Sequence, residues 1–544
     1  MNNKAKSKPD DIRYTTSEIP LKEFYGPDDI REIDYDKDRG DPGQYPFVRS
    51  VFPAGYRKFA WQNSMISGYG LPEEANERQK YLREKGASGY GGKDSINFAF
   101  DNPCQNGYDC DHPLSKYEVG TGGIFINTIE DAEKLFAGFA LDRLNVGLII
   151  DTPGPIILAI YVALADKMGV PRNKLRGIVT NSPWRRYYTG TTITFPPKHA
   201  LRVAADCITW AAREVPNFNT YSVNGYDIRE GGATAAQEMA FAIAPTIEVI
   251  QTCQAMGAAV DDVVPRFNFF LGFHNDFFEE VAKIRAGRKI WAGLIKKRFN
   301  AKNIKSCWMK IHLQTSGCTL TAQEPMNNIS RVAIQALGAV MSGVQSMSTD
   351  SYDEAISLPT EKAVRVALKA QKIIEHESGL TNVADPLGGS YFVEYITAEM
   401  EKRIRGYLTK IEEMGGYLVA LENGFIEREV AASALKYQNE IEEKKRIIVG
   451  VNEYVEEEDV SVSPFEYNPK VREIASERLQ KLRENRDNRE VNKLLEHLKQ
   501  TASSNGSLMP LYIDAAKAGA TMGEMMEALK EVFGVYKPQN ILAA

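Results

Sequence analysis

Beyond a polar arm that reaches to about residue 44, the chain repeats one pattern: a short run of β-branched and aromatic residues, then a longer stretch with apolar positions every three or four residues. The first spacing marks strands and the second helices, because side chains alternate across a strand and spiral around a helix. Strands are predicted near 97–100, 146–150, 177–180, 221–224, 266–270, 309–313 and 344–347, with a faint eighth near 382–384. Helices are predicted between them at 157–167, 198–214, 235–255, 275–298, 327–341 and 361–377. Alternating β and α elements call for parallel strands joined by crossover helices, and eight such units closing on themselves make a (β/α)8 TIM barrel. The pattern also permits an open doubly wound sheet.

After residue 394 the composition turns to charged helical segments. The stretch 478–500 reads as one solvated helix, TASSNGS (501–507) as a loop, and 524–533 as a last amphipathic helix. The expected organisation is an extended N-terminal arm (1–44), a substrate-binding barrel (45–393) and a C-terminal helical region (394–544) packing on the barrel and a partner subunit.

One strand carries unusual chemistry. WMKIHLQTSGCTLTAQE (308–324) places His312 and Gln314 two residues apart, on one face of a strand. A buried strand normally fills its inward positions with Val, Ile or Leu, so this pair and the small run after it suggest a strand end opening into a polar cavity. A satisfied core His–Gln pair fits the same residues.

With 544 residues and 43% hydrophobic content the chain has material for a large core, and its net charge of −6 gives no electrostatic case for nucleic acid. No basic run or long apolar stretch points to a membrane, and six scattered cysteines without CxxC spacing suit free thiols in a reducing compartment. The expected location is cytoplasmic.

The segment 308–324 resembles the strand motif of the coenzyme-B12-dependent acyl-CoA mutases, the methylmalonyl-CoA mutase-like family. The likeness continues in VQSMSTDSYDEAISLPT (344–360) and ESGLTNVADPLGGSY (377–391). YPFVRSVFPAGY (45–56), AFDNPCQNGYDCDHP (99–113), VNGYDIREGGA (223–233), VPRFNFF (264–270) and KIRAGRKIWAGLIKKRF (283–299) appear in the family's order. The resemblance implies an isomerase that rearranges the carbon skeleton of an acyl-CoA by a radical route, with adenosylcobalamin as cofactor. Family members bind cobalamin on a flavodoxin-like domain marked by DxHxxG, and the one Asp-His here, Asp111-His112, runs straight into Pro113. The expectation is a separate small cobalamin-binding subunit, with a homodimer of large subunits inside a heterotetramer.

The resemblance also implies roles. His312, Gln314, Tyr226 and Asp227 would face the reacting centre. Arg266, Asn268, Lys310, Gln345 and Ser346 would contact the acyl-CoA. Asp350 and Glu354, read as four apart at a helix start, would hold the adenosyl ribose, with Ala355, Glu230 and Gly317 beside the cofactor.

Departures from the family narrow the substrate. Methylmalonyl-CoA mutases grip a free carboxylate with a Tyr and an Arg, where this chain has Ile66 and Gly190, so that charge would be left desolvated. Ile66 is similar to the 2-hydroxyisobutyryl-CoA mutases, yet those carry Asp where Ala99 stands. Asp227 replaces a thioester-contacting His, a change that suits a protonated acid, a salt bridge to Arg229 or a neighbour, or a substrate bearing a donor. Gly147, Ile149, Ile178 and Thr180 replace more polar family residues, and Ser64 and Phe59 replace two Arg. The expected acyl group is uncharged and branched, hydroxylated or bulky. The alternative is a non-catalytic barrel homologue acting as an assembly or binding partner.

Overall fold

The computed structural model describes residues 12–87, 95–184, 187, 194–456 and 465–537. Parallel strands β1 (Gln62–Ser64), β2 (Ser95–Ala99), β3 (Asn145–Ile149), β4 (Arg176–Val179), β5 (Tyr221–Asn224), β6 (Phe267–Phe273), β7 (Ile311–Thr315) and β8 (Ser346–Ser348) surround one axis. They form two ladders, β1-β8-β7-β6-β5 and β2-β3-β4, the second extended by a two-residue strand, Phe218–Asn219, beside β4. Two seams join the ladders. Ser67 N–H donates to Asn97 O and Ala99 N–H to Ser67 O, both at 3.3 Å, while Ser222 N–H donates to Thr180 O at 2.8 Å. The ring closes, and the expected barrel is the architecture formed.

Crossover helices cover it: α1 (Pro72–Glu84), α2 (Ile129–Leu135), α3 (Gly154–Lys167), α4 (Pro197–Glu214), a single turn α5 (Tyr226–Glu230), α6 (Ala235–Ala255), α7 (Phe277–Lys297), α8 (Asn328–Met341) and α9 (Glu361–Glu377). Most match the periodicity closely. Alternate strand residues such as Phe98, Leu148, Val223, Phe269, Leu271, Leu313 and Met347 lie in the core beneath these helices.

The eighth strand is a correction. Residues 380–382 form a 3-10 turn, and the ring is completed by Gln62–Ser64, a polar triplet without a strand signal. The 382–384 run cannot extend because Asp385, just beyond it, is fastened by Arg49 Nε at 2.7 Å and Arg285 Nη1 at 2.8 Å, which bends the chain away. A strand of three polar residues is stabilised by its neighbours, not by its own propensity.

The C-terminal region continues as α10 (Tyr391–Glu413), α11 (Tyr417–Glu422), α12 (Phe425–Glu442), α13 (Val471–Asn485), α14 (Asn488–Ala502), α15 (Met509–Lys517) and α16 (Met522–Phe533). The single helix expected at 478–500 is two, because Asp487 caps α14 by accepting from the Arg489 and Glu490 amides. Helix α3 is buried around nearly its whole circumference, since α15 covers the side that the barrel does not. Helix α10 packs on α6 and α7.

Candidate active site

Ladder partners on parallel strands point to the same face. The axis-facing set includes Ser64, Asn97, Gly147, Asn268, His312, Ser346 and Ser348. TIM barrels ordinarily fill this space with bulky branched side chains. Here the positions are small and polar, and Asn97 Oδ1, Asn224 Nδ2 and Asn268 Oδ1 are buried without a hydrogen-bond partner among the described residues. A buried amide left so is costly, which suits a polar ligand lying along the axis.

Along β7 the two-residue period puts Lys310, His312 and Gln314 in line, roughly 6.6 Å apart. His312 Nδ1 lies 2.8 Å from Ser346 Oγ, and Nε2 lies 3.3 Å from Ser348 Oγ. Burial pushes its pKa down to about 3, so the imidazole is neutral.

Past Gln314 the axis opens into an acidic crown. Gln314 Nε2 donates to Tyr226 Oη at 3.1 Å and to Asp350 Oδ1 at 2.8 Å. The Tyr226 ring stacks on Phe270, with centroids 4.9 Å apart. Asp350 N–H donates to Thr315 Oγ1 at 2.9 Å, and Glu230 Oε2 accepts the Cys318 amide at 2.7 Å. Gly317 leaves room between them: a Cβ there would lie 3.3 Å from Glu230 and 3.7 Å from both Asp350 and Tyr226. Desolvation, with Glu354 and Glu230 nearby, raises Asp350 well above the usual carboxylate range. Desolvation brings Glu230 up to about 7, and desolvation with Asp353 and Glu230 does the same to the carboxyl of Glu354, although that residue is exposed at the rim.

A cavity of about 320 Å³ spans this crown and is lined by Ile66, Ala99, Tyr226, Gln314, Asp350 and Glu354 of the expected residues. Apolar Met65, Ile149 and Phe270 join them, and the buried Arg78 closes the outer end with Tyr69 and Phe465. His312 lies one step deeper. The helix start expected at Asp350 is absent: residues 352–356 turn, and α9 begins only at Glu361 under a Thr360 cap. Pro359 disfavours helix in the residue before it, and Asp353 accepts from Thr360, rounding the loop. Ala355 sits exposed on that loop and does not line the cavity.

The other end of the axis carries the cations. Arg266, half-buried just before β6, has no hydrogen-bond or ion-pair partner among the described residues. Lys310 donates to Pro265 O at 2.5 Å, and desolvation with Arg266 nearby brings its pKa down to about 8. Gln345 accepts from Ile311 N–H at 2.8 Å and lines a separate apolar cavity of about 280 Å³ with Tyr56, Trp61 and Val344. Thr180 donates to Ile150 O at 2.7 Å, outside the crown cavity. Arg229 is spoken for by Glu280 at 2.9 Å and by Ala233 O. Gly190 lies outside the described residues. Ser348, Phe270 and Phe465 were missed by sequence reasoning; Ser348 alone had a signal, its two-residue step from Ser346.

A family model described as methylmalonyl-CoA mutase matches residues 14–535. The chain belongs to this family. It is 39% identical over 526 residues to a 2-hydroxyisobutanoyl-CoA mutase large subunit of Aquincola tertiaricarbonis, covering 96% of this chain and 92% of that protein. It is 37% identical over 540 residues to human mitochondrial methylmalonyl-CoA mutase, covering 99% of this chain and 70% of the relative, and 35% identical over 527 residues to the methylmalonyl-CoA mutase of Rhizobium meliloti, covering 96% and 73%. The family is one of cobalamin-dependent mutases, which are isomerases. The crown fits such a cofactor: Glu230 Oε1 and Asp350 Oδ2 are buried oxygens without a partner among the described residues, suited to hydroxyl or amide donors. No helix among the described residues is long and apolar enough to cross a membrane.

Proposed function

We propose that the chain is the substrate-binding large subunit of an adenosylcobalamin-dependent mutase, acting on an acyl-CoA whose acyl group has no free carboxylate. What carries the reading is the wall of the crown cavity, where Ile66 stands with Ala99, Ile149 and Phe270, so that an ionised acyl group there would lose its hydration without gaining a partner. The one cation among the described residues of that lining, Arg78, lies beside Tyr69. A branched, hydroxylated or bulky acyl group suits the space.

The residues divide the work along the axis. Arg266 and Lys310 would meet the anionic end of the coenzyme A, and Asn268 its amides. Neutral His312, steadied by Ser346 and Ser348, would donate to the thioester oxygen from a buried site, where a fixed donor acts more strongly than in solution. Gln314, held by Tyr226 and Asp350, forms the floor between substrate and cofactor. Asp350, Glu354 and Glu230 would hold the adenosyl group and the corrin edge, with Gly317 leaving room for them. The cofactor, when bound, supplies radical chemistry through its weak cobalt–carbon bond. The corrin would be carried by a small cobalamin-binding subunit, two of which pair with a homodimer of this chain in a heterotetramer; the match to a protein named as a large subunit supports this.

The test is reconstitution with a cobalamin-carrying partner and adenosylcobalamin, then a panel of acyl-CoAs. Turnover of a carboxylate-free acyl-CoA above methylmalonyl-CoA is expected. Preference for methylmalonyl-CoA, or no isomerisation of any acyl-CoA by a complex shown to hold the cofactor, would sink the reading.

A further inference from the structure

Four charges are sealed directly beneath the crown. Arg229 is 4% exposed, and Glu238, Glu280 and Lys283 are fully buried. Lys283 Nζ bonds both Glu238 and Glu280 and donates to Gly272 O at 2.8 Å, while Glu238 Oε1 accepts Gly272 N–H at 2.7 Å. Arg229 donates through Nε and Nη2 to Glu280, at 3.2 and 2.9 Å, and through Nη1 to Ala233 O. Two cations meet two anions directly, with the buried Glu279 also close enough to act on Arg229, and apolar residues could have filled the same volume without desolvating any charge.

Their placement accounts for them. Strand β5 ends at Asn224, where the chain turns into α5, but β6 runs on to Phe273. Beyond that point the edge of β6 has no strand beside it, and both backbone groups of Gly272 are satisfied by side chains from α6 and α7 instead. Gly272 is the ladder partner of Gln314. Arg229 belongs to α5, next to Glu230 and three residues after Tyr226, and its planar fork reaches across to Glu280 on α7.

We infer that this buried quartet is a positioning device: it fixes α5 on the end of β6, and so holds Tyr226 and Glu230 in register with Gln314 and Asp350. The inference rests on the crown being where the cofactor is met, as proposed above, but its test uses neither cofactor nor substrate, so the two can fail separately.

Cys318 is the natural reporter. It is the one of six cysteines exposed by whole-residue area, although the sulfur itself is crowded by protein: its amide is held by Glu230, and desolvation of the thiol together with the Glu230 charge raises its pKa. The experiment compares wild-type chain with R229K, which keeps the charge but loses the fork, and with the charge-balanced double variant E238Q/K283M. Maleimide labelling of each cysteine is followed by mass spectrometry, alongside thermal melting. If α5 drifts, Glu230 leaves Cys318, and a thiol pKa lower by one unit gives about tenfold faster labelling. That rate is expected for the double variant, with R229K between it and wild type, while the other five cysteines stay protected. Two results would overturn the inference: Cys318 labelling within about twofold of wild type in folded R229K, or all six cysteines accelerating together, which would make the quartet a general stabiliser.

Discussion

His312 should remain neutral at any pH the fold tolerates, and that can be measured. Its ring is buried beside the Ser346 and Ser348 hydroxyls, and burial pushes its pKa from 6.5 to about 3. Protonating it in the fold at pH 5 would therefore cost about 2.7 kcal/mol. The unfolded chain pays nothing comparable, so it binds a proton below pH 6.5 that the folded state refuses, and stability must fall as the pH drops through that window. Between pH 7 and pH 5 the wild type should lose about 2 kcal/mol more than His312→Asn, which has no group to titrate there. With six histidines in the chain, ring-selective NMR can assign His312 by its absence in the variant. Its signal should stay in place from pH 8 to pH 5, and urea unfolding of the two proteins should converge on acidification. A midpoint near 6.5, or a stability difference independent of pH, would refute the account of an imidazole held neutral by burial. Turnover by the variant should drop by roughly 10- to 100-fold without a change in pH profile, the loss of one preorganised neutral donor.

Other consequences follow from the same geometry. Glu230, raised from 4.5 to about 7, favours the fold below the unfolded value and loses that advantage as pH rises through about 7; the change is roughly 3 kcal/mol, and the exposed Glu354 contributes less. Because His312 shifts stability the other way over the same range, the readout is the difference from Glu230→Gln: relative to that variant the melting temperature of the ligand-free wild type should decline from pH 5 to pH 8, and a difference independent of pH would contradict the crown's electrostatics. Arg266→Met should raise KM for the acyl-CoA about tenfold with kcat little altered, and weaken the salt dependence of binding; an unchanged KM would place the anionic end of the ligand elsewhere. Gly147→Ala would drive a Cβ to 2.2 Å from Asn97 Oδ1, so acyl-CoA affinity measured by calorimetry should fall while far-ultraviolet circular dichroism is retained. Ile66→Tyr should improve methylmalonyl-CoA turnover relative to the native substrate; no shift in that ratio would remove Ile66 from the acyl wall.

Six barrel helices, α3, α4 and α6 to α9, were legible because each is long enough for its period to show, and α6 and α9 begin and end where the pattern places them, whereas α1, α2 and the single turn α5 were not read. Strand β1 was not, because three polar residues carry no propensity of their own and take strand geometry from β8 and from the seam to β2. The helix start read at Asp350 from its four-residue spacing to Glu354 did not form, because a proline and an aspartate loop hold that stretch as a turn ahead of α9.

Taken alone, the order of residues determined the alternating architecture, the family motifs and the single-strand line of Lys310, His312 and Gln314, since all of these depend on neighbours within a few positions. Only the closed ring decided that Tyr226, Glu230, Gln314 and Asp350 share one crown, that Arg229 is turned inward to Glu280, and that Arg266 comes close enough to Lys310 to lower its pKa. Those residues come from strands and loops far apart in the chain, and burial and charge at such a meeting point depend on what every other segment brings to it.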